Sequence, residues 1–303
     1  MFNPYHLSCN YSEDSEKLIG SLWLSSLFLD KFAQNKGLKS HFVNRRVIIL
    51  TLLSSALWSQ KAGATEFFTD TPVPAAYEEV YLNLHAQTSH TKNGTTSRLP
   101  AVEALVGVYP DVQLTTRTPV ILAEPKNKPS LYYYGDVGVG VKYRFIHETK
   151  TLPQVAFYPK FTFPSGDVDA ITGNRTITAT VPFWLQKNWG PWKLSGGGGY
   201  LFNPAKNKFN FPFGGILLQK EISEYLTLGN ELYAEGAKDR NFGARLLYNA
   251  GGTYYFTDST YTLFSIGHSI AGEKSFVAFF GVGVEWGPHV KIKEKDKSPL
   301  TVP

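Results

Sequence analysis

The chain has 303 residues, of which only 18% are charged and 15% are aromatic. This composition excludes a disordered chain and a charge-rich helical bundle. The single cysteine, Cys9, excludes a disulfide framework and a cysteine-based zinc site. Seven basic and four acidic residues of positions 1–64 account for most of the net charge of +5. The rest of the chain is nearly balanced, so we expect no nucleic-acid partner.

Residues 45–64 read RRVIILTLLSSALWSQKAGA, with two arginines before an apolar run from Val47 to Trp58. The final Ala-Gly-Ala is a small-x-small pattern, and the whole stretch is typical of a secretory signal peptide cleaved before Thr65. The apolar run is too short to span a membrane as a helix; a buried core helix is the alternative. Met1 is the only methionine. We therefore hypothesise that translation starts at Val43, which N-terminal sequencing of the precursor would test.

Apolar and polar residues alternate along the chain after residue 65, in segments that turn residues separate. This period of two is the signal of strands that face apolar surroundings on one side only. Each segment has about the 9–11 residues that a tilted strand needs to cross a bilayer. The twelve segments cover residues 77–88, 98–108, 112–122, 132–145, 153–163, 176–187, 192–202, 209–220, 226–236, 244–256, 260–270 and 275–286.

The two faces of a segment differ in chemistry. In 132–145, Val137, Val139 and Val141 share one face, and Asp136 and Lys142 share the other. A membrane barrel turns its apolar face to lipid and keeps polar groups inside. We therefore predict an all-β fold, an antiparallel up-and-down transmembrane β-barrel of about 12 strands. The predicted organisation is an upstream extension over 1–42, a signal peptide over 43–64, the barrel over 65–286 and a tail over 287–303.

The predicted connections alternate between short and longer ones. Outer-membrane barrels have short periplasmic turns and longer outside loops, so this pattern predicts location in the cell outer membrane. The short set is 109–111, 188–191, 222–225 and 257–259, and the longer set is 89–97, 123–131, 165–175, 203–208 and 237–243. Aromatic residues near the short turns predict an interfacial girdle. The girdle residues are Phe145, Trp189, Trp192, Tyr225, Tyr254, Phe256, Tyr261 and Trp286.

The polar faces place many charged side chains in the predicted lumen. Such charges must pair or stay hydrated inside a low-dielectric wall. One interpretation is a structural salt-bridge network that closes the barrel, and the other is a mixed-charge constriction that selects solutes. The candidate lumen and selectivity residues are Glu103, Arg117, Asp136, Lys142, Arg144, Lys160, Glu231, Glu235 and Arg245, with Glu79, His85 and Glu285 on the same face. Glu103, Arg117, Lys142 and Lys160 are favoured because they lie mid-strand on consecutive strands.

An enzyme is a second class to weigh, because outer-membrane lipid hydrolases need a serine activated by a histidine. His268 and Ser269 are adjacent, and neighbours in a regular strand point to opposite faces. We therefore expect no catalytic residues, and no motif predicts a cofactor or a metal. The glycine-rich runs lie on strands and lack the lysine of a phosphate-binding loop.

A soluble secreted lipid-binding barrel is a third class. A requirement for detergent and heat-modifiable migration in SDS gels would distinguish a membrane barrel from it.

Three runs of the sequence resemble a known family. The runs PAVEALVGVYPDVQLTTRTPVI, GDVGVGVKYRF and PQVAFYPKFTFPSGD are similar to the outer-membrane transporter family of the MetA pathway of phenol degradation. The resemblance extends from Ala75 to Trp286. It implies a porin-like barrel that passes small, aromatic or hydrophobic molecules, without enzymatic activity. The partners implied are outer-membrane lipid, small-molecule solutes and the barrel-assembly machinery.

Overall fold

The computed structural model describes residues 66–167 and 176–288. The predicted extension and signal peptide lie outside the described residues, as does the predicted tail beyond residue 288. The described residues contain no helix that is long and apolar enough to cross a membrane. They form an all-β structure, as the alternation predicts.

The wall is a closed antiparallel barrel of twelve strands over the described residues. Each strand pairs with its neighbours in sequence, and β1 pairs with β12 through Val80 and Trp286, which closes the barrel. β4 and β5 are each interrupted by two residues. The strands are β1 Val80–Thr91, β2 Gly94–Tyr109, β3 Val112–Pro125, β4 Leu131–Tyr134 with Val137–Ile146, β5 Gln154–Phe157 with Lys160–Phe163, β6 Thr178–Trp189, β7 Trp192–Phe202, β8 Phe211–Glu221, β9 Leu226–Glu235, β10 Arg245–Tyr255, β11 Thr260–Gly272 and β12 Ser275–Trp286.

The apolar face of the barrel points outward. Val139, Leu228 and Val282 are 38%, 39% and 42% exposed, whereas Lys142 and Glu231 are each 1% exposed. Successive side chains of a strand point to opposite faces, so the alternation in the sequence separates the two surfaces. An apolar exterior around a polar interior is the arrangement of a membrane barrel and the reverse of a soluble one.

Exposed aromatic rings lie near the end of the barrel that carries Val80 and Trp286, which we call the terminal end; the opposite end is the loop end. Most of the predicted girdle residues are exposed here, as a membrane interface favours. They are Phe145, Trp189, Trp192, Tyr225, Tyr254, Phe256 and Trp286. Tyr261 is the exception: it is buried, and its hydroxyl donates to Asn83 Oδ1 at 2.8 Å in the lumen. Its prediction as a girdle residue was wrong.

The short connections at the terminal end agree with the predicted set, but one predicted long loop does not exist. Residues 89–97 continue β1 and β2, and only Lys92 and Asn93 turn the chain. Polar cross-strand pairs stabilise this extension of the hairpin. Thr88 and Ser97 share a hydrogen bond of 2.9 Å, and His90 and Thr95 share another of 2.9 Å. The polarity that predicted a loop therefore belongs to paired strands.

Residues 66–79, which we call the lumen segment, fold into the barrel interior before β1 begins. Val73 and Ala75 are buried against inward-facing side chains of the wall, including Leu105 and Leu263. A Cβ on Gly107 would collide with the main chain of the lumen segment. The glycine therefore provides the close approach of β2 to the segment, and the core of the barrel is formed by wall and segment together.

Candidate functional site in the barrel lumen

The first contact between the lumen segment and the wall is a buried ion pair. The Asp70 carboxylate lies 2.9 Å from Lys142 Nζ on β4 and 3.1 Å from Lys160 Nζ on β5. Burial alone would raise the pKa of this carboxyl, but the two ammonium groups lower it to about 2. Asp70 is therefore a carboxylate at any physiological pH. Lys160 also lies over the Tyr158 ring, 4.0 Å from its centroid.

The second contact is on the opposite side of the lumen, at Glu231 of β9. Its carboxylate accepts main-chain N–H bonds from Phe68, at 3.3 Å, and from Thr69, and it also accepts from the Asn249 amide. The Phe68 ring stacks on Tyr233 with the ring centroids 5.0 Å apart. The lumen segment therefore crosses the barrel from β4 to β9, with a charged or polar partner at each side.

Further hydrogen bonds hold the two ends of the lumen segment. The Ala75 N–H donates to Gln113 Oε1 at 2.7 Å, and the Ser265 hydroxyl donates to the Glu66 carbonyl at 2.6 Å. Glu66 itself is buried, and burial, together with the nearby charge of Glu231, raises the pKa of its carboxyl to about 7. The segment thus contains one carboxyl that favours the charged form and one that favours the neutral form.

Two chambers remain open in the lumen beside the segment. The large chamber, of about 640 Å³, lies toward the loop end, and the small chamber, of about 250 Å³, lies deeper. Phe68, Arg98, Arg117 and Lys160 line both. These four residues therefore mark the place where a solute would pass from one chamber to the other.

The four favoured residues of strands 2 to 5, Glu103, Arg117, Lys142 and Lys160, all line the chambers, but their pairing differs from the expectation. Glu103 and Arg117 are register partners across β2 and β3, yet no hydrogen bond or ion pair joins them. Lys142 and Lys160 take Asp70 as their acid instead. Asp70 was not among the predicted residues, because it lies in a segment without alternation.

The other predicted residues divide between the two ends of the lumen. At the loop end, Glu235 lies 2.6 Å from Arg245 and 2.8 Å from Lys238. Asp136, in the interruption of β4, accepts the Gly166 N–H at 3.0 Å. At the terminal end, Arg144 lies 2.6 Å from Asp111 and lines neither chamber.

Arg98 and Trp184 line the chambers but were not among the predicted lumen residues. Arg98 lines both chambers and donates to Gln87 Oε1 at 2.8 Å. Trp184 lines the large chamber, and its Nε1 is buried without a hydrogen-bond partner among the described residues. An unpartnered buried donor is uncommon in a folded protein. The signal for Trp184 in the sequence was only its position within an alternating segment.

The closed antiparallel wall, the apolar exterior and the polar lumen define a β-barrel of the outer-membrane type. A family model described as "Putative MetA-pathway of phenol degradation" matches residues 82–284. The chain belongs to this family. No protein with a curated description matches the sequence.

Comparison with solved structures finds similarities at low sequence identity. An outer membrane channel from Pseudomonas putida F1 aligns with a TM-score of 0.58 and 12% identity, over 75% of this chain and 100% of that chain. The KdgM porin in complex with disordered oligogalacturonate aligns with a TM-score of 0.47 and 10% identity, over 69% of this chain and 99% of that chain. The CymD monoaromatic hydrocarbon channel aligns with a TM-score of 0.43 and 7% identity, over 71% of this chain and 90% of that chain. The first likeness shows the fold, and the two lower scores are too weak to indicate a function.

Proposed function

We propose that this protein is an outer-membrane channel through which small molecules, aromatic or hydrophobic ones in particular, pass without chemical change. The observation that carries the proposal is the large chamber of about 640 Å³, enclosed by a lipid-facing barrel and lined by both charged and aromatic side chains. Binding sites for small molecules in proteins have volumes of roughly 300–1,000 Å³ and combine apolar walls with a few polar groups. Family membership and the barrel fold support the same function.

The proposal includes the cellular context. The chain is exported by the signal peptide predicted over 43–64, is inserted by the barrel-assembly machinery, and contacts outer-membrane lipid through its apolar exterior. Solutes pass the lumen segment by way of the contact between the two chambers. Selection then depends on the side chains that line both chambers, in particular Arg117 and Lys160.

A closed structural barrel is the second candidate function, and the lumen segment favours it. A buried ion pair and several main-chain hydrogen bonds hold the segment across the lumen. In such a barrel the charges would only satisfy one another. The two candidates differ in whether ions and solutes cross the membrane.

Conductance in planar lipid bilayers separates the two functions. The protein is extracted from outer membranes and reconstituted, and heat-modifiable migration in SDS gels confirms that the barrel is folded. We expect discrete conductance steps for the wild type, larger steps when Asp70 is replaced by Asn, and changed ion selectivity when Arg117 is replaced by Ala. If the folded wild type and the folded Asp70→Asn variant both conduct no more than protein-free bilayers, the channel function is wrong.

A further inference from the structure

The large chamber has two chemically different walls on opposite sides of the barrel. Arg98 on β2 and Arg117 on β3 lie on one side. Phe213 on β8 and Tyr233 on β9 lie on the other. β2 and β8 are six strands apart in the ring of twelve, and so are β3 and β9. The two walls therefore face each other across the chamber.

The wall that contains Phe213 and Tyr233 is a continuous set of aromatic rings, which we call the aromatic wall. Trp184 and Phe213 have their ring centroids 6.4 Å apart, Phe213 and Tyr233 also 6.4 Å, and Tyr233 and Phe68 5.0 Å. Rings at such separations are in favourable aromatic contact. The fourth ring comes from the lumen segment, so the aromatic wall joins the barrel to the segment and presents a surface on which another ring can stack.

The opposite wall, on β2 and β3, carries two guanidinium groups that form no ion pair with an acid among the described residues, and we call Arg98 and Arg117 the arginine pair. The only hydrogen-bond acceptor of Arg98 among the described residues is the neutral Gln87. Among the residues that the structure describes, Arg117 also has no hydrogen-bond or ion-pair partner, although Glu103 is its register partner. Both arginines line both chambers, and like charges that share one space repel each other. An anion between them would relieve that repulsion.

The acids of the large chamber already have other partners. Glu235 pairs with Lys238 and Arg245. Asp136 accepts the Gly166 N–H, and Asp167 accepts the Tyr134 N–H at 3.2 Å. None of these acids forms an ion pair with the arginine pair, and the described lining of the chamber holds five basic against three acidic side chains, which leaves a net positive charge.

We infer that the large chamber binds monocyclic aromatic carboxylates, the carboxylate on the arginine pair and the ring against the aromatic wall. The inference deepens the proposed function and rests on it, because the ligand is the solute that the channel passes. Guanidinium groups bind carboxylates through paired N–H donors, and charge-assisted hydrogen bonds are the strong ones.

Size agrees with this ligand class. A cavity of about 150 Å³ is enough for a benzene molecule, so the large chamber of about 640 Å³ holds a single substituted ring together with water. An aliphatic carboxylate would engage the arginine pair but has no aromatic ring to stack on the aromatic wall. A neutral aromatic alcohol would stack on the wall but leave the repulsion between Arg98 and Arg117. Both should bind more weakly than an aromatic carboxylate.

Four small probes separate the contributions of ring and charge. Benzoate has both, benzyl alcohol has only the ring, cyclohexanecarboxylate has only the charge at a similar size, and acetate is a small anion. Binding to the detergent-solubilised full chain is measured by calorimetry, and block of the current is measured in planar bilayers. We expect benzoate to bind at least about tenfold more tightly than any of the other three, the factor expected from about 1.4 kcal/mol.

Variants assign the effect to the residues. Replacing Arg117 with Gln should weaken the binding of benzoate about tenfold and leave the binding of benzyl alcohol unchanged. Arg117→Lys should recover part of the lost benzoate affinity, because lysine keeps the charge but not the paired donors. Arg240, an exposed arginine near the same end of the barrel that does not line the chamber, provides the matched control Arg240→Gln, which should change nothing.

The outcomes distinguish this inference from the proposed function. If the protein conducts but binds benzoate no better than benzyl alcohol or cyclohexanecarboxylate, the inference is wrong and the channel stands. Loss of benzoate binding in Arg240→Gln as large as in Arg117→Gln would also overturn it, since a general charge effect would then explain the result. If benzoate binds with the expected selectivity but no variant conducts, the chamber assignment stands and the channel function fails.

Discussion

Asp70 lies 2.9 Å from Lys142, so a buried ion pair ties the lumen segment to the barrel wall. Lys142 is 1% exposed, and Asp70 also contacts Lys160 at 3.1 Å. Removing one partner of a buried pair leaves an uncompensated charge, which costs about 3–5 kcal/mol. The position of the segment in the lumen therefore depends strongly on this one carboxylate.

Replacement of Asp70 with Asn is expected to release the lumen segment and enlarge the pore. The amide keeps the size of the side chain but leaves Lys142 without its counter-charge, so the docked position loses about 3–5 kcal/mol. Single-channel conductance in planar bilayers should rise by a factor of about two or more. Glu78, an exposed acid of the same segment, gives the control Glu78→Gln. Equal conductance of wild type and Asp70→Asn would show that the ion pair does not hold the segment.

Glu231 is expected to hold the other side of the segment through hydrogen bonds rather than charge. Glu231→Ala leaves the Phe68 and Thr69 N–H groups without their acceptor, at a cost of about 1–3 kcal/mol for each buried group. Glu231→Gln keeps one acceptor oxygen and should restore most of the loss. Thiol labelling of Thr71→Cys, in a Cys9→Ser background, reports release of the segment. Labelling should be about tenfold faster for Glu231→Ala; similar rates for the Ala and Gln variants would contradict this explanation.

The wall of the barrel could be predicted from the sequence because a strand has a period of two. In β4, Val139 and Lys142 differ by an odd number of positions, which alone assigns one to lipid and the other to the lumen. The same arithmetic assigns Leu228 and Glu231 in β9. It needs no knowledge of the neighbouring strands, and that is why the all-β barrel of twelve strands could be predicted from the sequence.

The contents of the lumen could not be predicted in this way. Asp70 belongs to a segment without periodicity, and its partner Lys142 is 72 positions away. Arg98 and Glu103 are an odd number of positions apart, so regular alternation would place the Arg98 side chain on the outer face of the barrel. An irregularity between Arg98 and Ala101 shifts the register of β2 against β3. Such a bulge changes the face of every residue beyond it, and Pro100 was its only sign in the sequence.

The conductance is expected to depend on pH through Glu66. Its pKa is about 7 when the segment is docked and lies near the ordinary value of 4.5 when the carboxyl is exposed to water. Protonation therefore stabilises the docked segment: this contribution is complete below about pH 4.5 and is lost as the pH rises through about 7. Asp70 acts in the opposite sense, but its lowered pKa confines its effect to pH values below its ordinary 3.8.

The measurement is single-channel conductance between about pH 5 and about pH 8, a window in which Asp70 stays charged and Glu66 titrates. Conductance should increase with pH in the wild type. Glu66→Gln, which is neutral throughout, should remove most of this dependence. A pH dependence that persists unchanged in Glu66→Gln would assign the titration to another group of the lumen.

A charge on the outer face is expected to destabilise the barrel according to its depth in the membrane. Val282 is an exposed aliphatic residue well inside β12, whereas Ile222 is an exposed aliphatic residue in a turn at the terminal end. Arginine at the bilayer midplane costs about 2–4 kcal/mol, and near the interface about 0–1 kcal/mol. Val282→Arg should therefore lower the free energy of unfolding, measured by urea titration in lipid vesicles, by about 2–4 kcal/mol, and Ile222→Arg should change it little. Equal effects at the two positions would mean that Val282 does not face lipid, because only a bilayer distinguishes the two sites.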